Sequence, residues 1–139
     1  MIRLAIFNIA ATALFLAGLG EGYVQPVIAG DSSRVVIVIG AAFLVGQWQT
    51  IRAARGNPAA LVSVRRVAEM LVMLGLIGTV IGFVIAMSGI DPAAAGDVSR
   101  VSGMVAQMVE GMGVALYTTL AGAVLSLWLT VNRWILTHE

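Results

Sequence analysis

Between Glu69 and Asp91 the chain runs from Met70 to Ile90 without a single charge. As a helix rising 1.5 Å per residue, this run spans roughly 30 Å, the thickness of a bilayer's hydrocarbon core. Within it Gly75, Gly78, Gly82, Ala86 and Gly89 recur at spacings of 3, 4, 4 and 3. That rhythm places small residues on one helix face, where another helix can approach closely. Beside the stripe Thr79 puts a hydroxyl near the middle of the run. A simple anchor needs neither feature; the run is built for close packing and a polar neighbour.

The rest of the chain keeps this character. Its 139 residues are 60% hydrophobic and 11% charged, and the mean hydropathy is +0.99. Soluble domains carry about 25% charged residues, so a small integral membrane protein is expected. The net charge of +1 comes without a basic cluster, which argues against nucleic acid as a partner. With no cysteine there is neither a disulfide framework nor a thiolate metal site. The one histidine, His138, lies next to the C-terminus, so a haem held by paired intramembrane histidines is not expected. Met1–Ala17 superficially resembles a signal peptide, but Ala17-Gly18-Leu19-Gly20 is a poor small-x-small cleavage site. An uncleaved first span is expected there.

Charges divide the chain into four apolar runs, at about 4–20, 35–51, 70–90 and 111–132. This pattern predicts an all-α polytopic protein of one membrane domain with four transmembrane helices, a shorter pair followed by a longer pair. In that arrangement Arg3, Arg52, Arg55, Arg65, Arg66 and Arg133 fall on one side, and only Arg34 and Arg100 on the other. The asymmetry predicts N-in and C-in. Gly56-Asn57-Pro58 breaks the inner connection, and the third helix is expected to begin over Leu61–Glu69, before the membrane. The outer loop Glu21–Arg34 has a turn composition, and Asp91-Pro92 ends the third helix ahead of a flexible Ala93–Gly96.

From Val98 the helical period returns through Val101, Val105, Met108 and Val109. The fourth helix is expected to start around Asp97 to Ser99, one of which caps it, and to run to about Thr137. Such a helix is about 60 Å long, twice a bilayer, so an outer extension over about 98–110 projects into water. Its membrane part carries Gly111, Ala115, Thr118, Gly122, Ser126 and Thr130 as a continuous small and hydroxylated stripe, with Thr119 one residue round. The first two spans have less of this and read as the lipid-facing pair. Trp48, Trp128, Trp134 and Tyr23 lie near the expected interfaces, as aromatic anchors do, with Trp128 somewhat deep. Arg65 and Arg66 are spaced for a local ion pair with Glu69, and Met104, Met108 and Met112 for packing.

LGLIGTVIGF at 74–83, followed after an outer loop by GMGVALYTTLAGAVLSLW at 111–128, resembles the MotA/TolQ/ExbB proton-channel family. The two pore-lining helices of that family carry a GLxGTVxG-like and an ALxxTxxG-like segment, in this order. The resemblance covers about Leu74–Trp128. It implies a homo-oligomeric ring, a pentamer, in the inner (cytoplasmic) membrane of a bacterium. The ring surrounds a dimer of a small single-span protein whose transmembrane Asp carries H+ or Na+, and ion flow drives a motor. The pore threonines of the family fall on Thr79 and Thr119, with the adjacent Thr118 as the alternative one register away. Gly75, Gly78, Gly82, Gly111, Ala115, Gly122 and Ser126 are the expected helix-packing positions. No catalytic residue, metal site or resident cofactor is expected, since no nucleophile, base or metal cluster sits at membrane depth.

A threonine hydroxyl both donates and accepts, so it can bond a carboxyl in either protonation state without adding a fixed charge. No Asp or Glu stands inside a span, so the ion-carrying acid must come from another chain. The sequence also departs from the family. The inner connection is little more than Arg52–Arg66, too short for the large cytoplasmic domain of a flagellar stator. Where some branches carry a Glu in the last pore helix stands Val114, and Glu110, one turn further out, is the candidate boundary charge. A four-span multidrug exporter needs a buried acid that these spans lack. A holin-like or scaffolding oligomer is the alternative; it shares the small-residue stripes but has no need of matched threonines.

Overall fold

The computed structural model describes residues 2–20, 34–91, 96 and 98–138. Every regular element among them is a helix: α1 (Ile2–Gly20), α2 (Val35–Ala54), α3 (Pro58–Ser88) and α4 (Val98–His138). Three stretches are long and apolar enough to cross a membrane, namely Val35–Ala54, Pro58–Ser88 and Arg100–Thr137. α1 contributes a shorter apolar stretch, Ile2–Ala17. Expectations for the outer loop at 21–33, for Tyr23, for 93–95 and for a cap by Asp97 or Ser99 lie outside the described residues and side chains.

The break between α2 and α3 is made by three successive residues. Gly56 takes φ +91°, a left-handed conformation that costs glycine nothing. The amides of Arg55, Gly56 and Asn57 then bond back to the carbonyls of Ile51, Ala53 and Arg52, closing the C-terminus of α2. The Asn57 side chain accepts from the Ala59 amide at 3.1 Å, and Pro58 occupies the first helical turn, where its missing N–H costs no bond. The capped start therefore brings α3 in at Pro58, ahead of the expected Leu61. Seven residues of this helix precede Arg65, whose Nε donates to Glu69 Oε1 at 2.8 Å on the exposed surface, the local pair anticipated from their spacing.

α3 and α4 form the most extensive contact in the molecule, and α2 packs across both. Lipid offers no hydrophobic drive between helices, so close van der Waals contact has to hold this hairpin together. Ile39, Val64, Ala68, Leu71 and Leu129 form the buried cluster where α2, α3 and α4 meet. α2 is thus not simply lipid-facing: Ile39, Gly46 and Thr50 are buried. A Cβ on Gly46 would run into the Leu129 side chain, so this glycine admits α4 at close range. α1 is the peripheral helix, packed mainly on α4 and barely touching α2.

Candidate functional site

The α3–α4 seam is built from glycine opposite small residues. A Cβ on Gly82 would lie within 3.0 Å of the Ala115 amide nitrogen and the Gly111 carbonyl; one on Gly111 would meet the Ala86 nitrogen and the Gly82 carbonyl just as closely. Gly122 meets the Leu71 carbonyl at 2.5 Å and Gly75 meets the Thr118 carbonyl at 3.1 Å in the same sense. Backbone lies against backbone along this line. Toward one end Ser126, itself buried, donates its hydroxyl proton to the Ala68 carbonyl at 2.8 Å. That bond crosses the seam from α4 to α3.

Because the backbones touch, side chains at the edge of the seam meet across it. Thr79 and Thr119 hydrogen-bond each other through their hydroxyls. Each also reaches the carbonyl four residues back in its own helix, Thr79 to Gly75 at 3.1 Å and Thr119 to Ala115 at 2.9 Å. Each lies 3.4 Å from the other's carbonyl as well, Thr79 from Ala115 and Thr119 from Gly75. Two hydroxyls and two carbonyls thus form one cross-helix diamond. Thr79 is half-buried and Thr119 is exposed, so the diamond opens onto one face of the hairpin. Leu76 and Phe83, about one turn either side of Thr79, and Leu116, about one turn before Thr119, are all exposed.

The chemistry of the diamond follows from counting protons. Two hydroxyl protons serve the carbonyls or the partner hydroxyl, and at least two oxygen lone pairs stay unused. The outward side is therefore an acceptor, suited to a protonated carboxyl, a water or a cation. A rotation about χ1 or the C–O bond turns either hydroxyl into a donor toward a carboxylate. The carbonyl it leaves still holds its helix bond.

Thr118 is placed differently from its neighbour. It is fully buried, directly against Gly78, where a Cβ would collide with the threonine side chain. Its hydroxyl donates to Val114 O at 2.8 Å and lies 3.2 Å from Ala115 O. Thr118 is a packing knob in the hole left by Gly78. Val114 is fully buried as well, and Glu110 lies exposed one turn away toward the start of α4.

Further along the seam, toward the arginine-bearing end, Arg65, Glu69, Ser126, Thr130 and Arg133 line a cavity of about 320 Å³. Thr130 donates to Ser126 O at 2.9 Å. The cavity lies at the charged end of the seam, and its lining reaches up to Val72 on α3 and Ser126 on α4.

A second polar centre was not anticipated. Asn8 of α1, Gln47 of α2 and Asn132 of α4 form a knot of amides, each within a run read as apolar because it held no charge. Asn8 Oδ1 accepts from Asn132 Nδ2 at 3.2 Å, from Gln47 Nε2 at 3.3 Å and from Trp128 Nε1 at 2.9 Å. Asn8 Nδ2 donates to Asn132 Oδ1 at 2.8 Å, and Asn132, fully buried, donates to Gln47 Oε1 at 3.2 Å. Trp128 is consequently turned inward, its ring 5.2 Å from that of Phe43, rather than sitting at an interface as an aromatic anchor. Trp48 and Trp134 are the exposed indoles. The missed signal was available in the uncharged polar residues Asn8, Gln47 and Asn132.

Compared with known proteins, the chain finds no match among curated proteins and none among solved structures. A family model does match, that of the MotA/TolQ/ExbB proton channel family, over residues 52–138. The matched region begins near the end of α2 and takes in all of α3 and α4, hence the whole glycine seam and both threonines of the diamond. It covers more than half of the chain. Both the two motifs and the helix pair that carries them place this membrane protein in the MotA/TolQ/ExbB proton channel family.

Proposed function

We propose that this protein is the channel-ring subunit of a stator-like unit driven by the proton- or sodium-motive force. Several copies, five by analogy with the family, surround a dimer of a small single-span protein that carries an ion-binding Asp. All four helices span the inner membrane, with both termini and the arginine-rich end on the cytoplasmic side. The arginine asymmetry supports that orientation.

One observation carries the reading. Two threonines, 40 residues apart and each inside a family-like motif, meet on the exposed face of a helix hairpin whose apolar runs, 70–90 and 111–132, hold no carboxylate. A polar acceptor site on an apolar face is of little use against lipid tails, but it suits a carboxyl that alternates between protonated and ionised forms. A ring of such hairpins, threonines inward, gives that acid a path of low cost at mid-membrane. Ion entry protonates or loads the acid, the diamond accepts from it, and ion release leaves a carboxylate to which the same hydroxyls donate. The unit works by letting the acid move from one hairpin to the next.

The direct test is recovery of the tagged chain, in mild detergent, from the cells in which it is native. The expected companion is a short protein with one span and an Asp within it, at fewer copies than the tagged chain. Recovery of the chain with no single-span companion would favour the scaffolding alternative.

A further inference from the structure

α1 and α2 enclose a cavity of about 720 Å³ that nothing in the channel reading uses. Its floor is Leu125 and Trp128 of α4, and its walls run from Leu4 to Phe15 on α1 and from Gly40 to Ile51 on α2. The eleven rises along each wall correspond to about 16 Å of helix, one half of a hydrocarbon core roughly 30 Å thick. The cavity is therefore as long as one leaflet, apolar over most of its surface, and open at its side because α1 and α2 barely touch. At one end Leu4 and Ile51 adjoin Arg3 and Arg52, both exposed and neither ion-paired among the described residues. Within it Gln47 uses one N–H on Asn8 and has a second free of any protein partner among the described residues.

We propose that this cavity binds an anionic phospholipid drawn from the leaflet at the arginine end. One acyl chain lies between α1 and α2 over Trp128, an ester carbonyl accepts from the spare N–H of Gln47, and the headgroup phosphate pairs with Arg3 and Arg52. Length selects an acyl chain and the two unpaired guanidinium groups select a negative headgroup. The bound lipid fills the gap that leaves α1 loosely attached. The inference rests on the membrane location and stands apart from the ion-driven reading.

Trp128 is a reporter already in place. In the full-length protein with Trp48→Phe and Trp134→Phe it is the sole tryptophan, and the two replaced residues are exposed. The protein is reconstituted in phosphatidylcholine vesicles containing a minor fraction of phosphatidylglycerol brominated on its acyl chains. Trp128 fluorescence should be quenched at a much lower mole fraction of this lipid than of brominated phosphatidylcholine. Arg3→Gln and Arg52→Gln should each raise the half-quenching fraction of the anionic lipid by about fivefold. Gly40→Phe should abolish the selective quenching, since a Cβ there meets nothing within 4 Å and the ring can occupy the cavity. Equal quenching by the two lipids would overturn the proposal, reducing the cavity to unselective solvation. Absence of quenching by either would overturn it too, since no acyl chain would then lie against Trp128.

Discussion

Replacing Thr79 and Thr119 together by valine is expected to reduce partner-dependent ion flux by about 10- to 100-fold. Each hydroxyl contributes a hydrogen bond worth about 0.5–1.5 kcal/mol net, more if its partner is charged, and each 1.36 kcal/mol on the barrier is a factor of ten. Valine shares the β-branched shape of threonine and removes only the hydroxyl, so the backbone contacts of the seam beside it are kept. The carbonyls of Gly75 and Ala115 lose only a supplementary donor, because both lie within continuous helix and keep their backbone bonds. Flux should therefore fall while the assembled complex survives. Single variants should lose less, since the remaining hydroxyl still offers lone pairs to the acid. Thr118→Val supplies the contrast: its hydroxyl is buried and bonded within its own helix, and its loss should leave flux near the wild-type level. Flux measured in vesicles containing the chain and its partner decides the matter, and unchanged flux in the double variant would remove the threonines from the pathway.

The second large effect is on assembly. Gly82→Leu is expected to destabilise the hairpin by about 3 kcal/mol, the upper end of overpacking costs. The groups in the way are the backbone of Ala115 and the carbonyl of Gly111, which have no rotamer to change. Relief requires the two helices to separate, and separation also pulls Thr79 from Thr119 and Ser126 from Ala68. Thermal unfolding in detergent should shift far down and ion flux should vanish with it. Gly103→Ala provides the matched control, since a Cβ there meets nothing within 4 Å, and the change should stabilise α4 by up to about 1 kcal/mol through helix propensity. If both glycine variants behaved alike, the seam would not be the packing line described.

Much of this arrangement could be read from the chain because its signals were local. Charges bracket the apolar runs, Gly56-Asn57-Pro58 marks the break between α2 and α3, and the glycine spacing marks the face that α4 approaches. What could not be read depended on the crossing of helices. Thr118 and Thr119 are adjacent and chemically identical, and only the approach of Gly78 turns the first inward and leaves the second exposed. The amide knot was hidden for another reason. Asn8, Gln47 and Asn132 are far apart in sequence and individually unremarkable within apolar runs; their meaning arises when three helices bring them together. Bonds of this kind average about 0.6 kcal/mol in membranes, so the knot specifies how α1 docks more than it strengthens the bundle.

That the diamond lies on the outer face of a single hairpin is the point from which the functional account proceeds. Alone in a bilayer, that face would meet only lipid; in a ring it lines a space shared by all copies. The mass of the complex extracted in mild detergent, measured by native mass spectrometry, tests this most directly. The account predicts a closed ring of several copies, five by analogy with the family, retaining two copies of a single-span protein. A stable monomer of 14.5 kDa under the same conditions would contradict it.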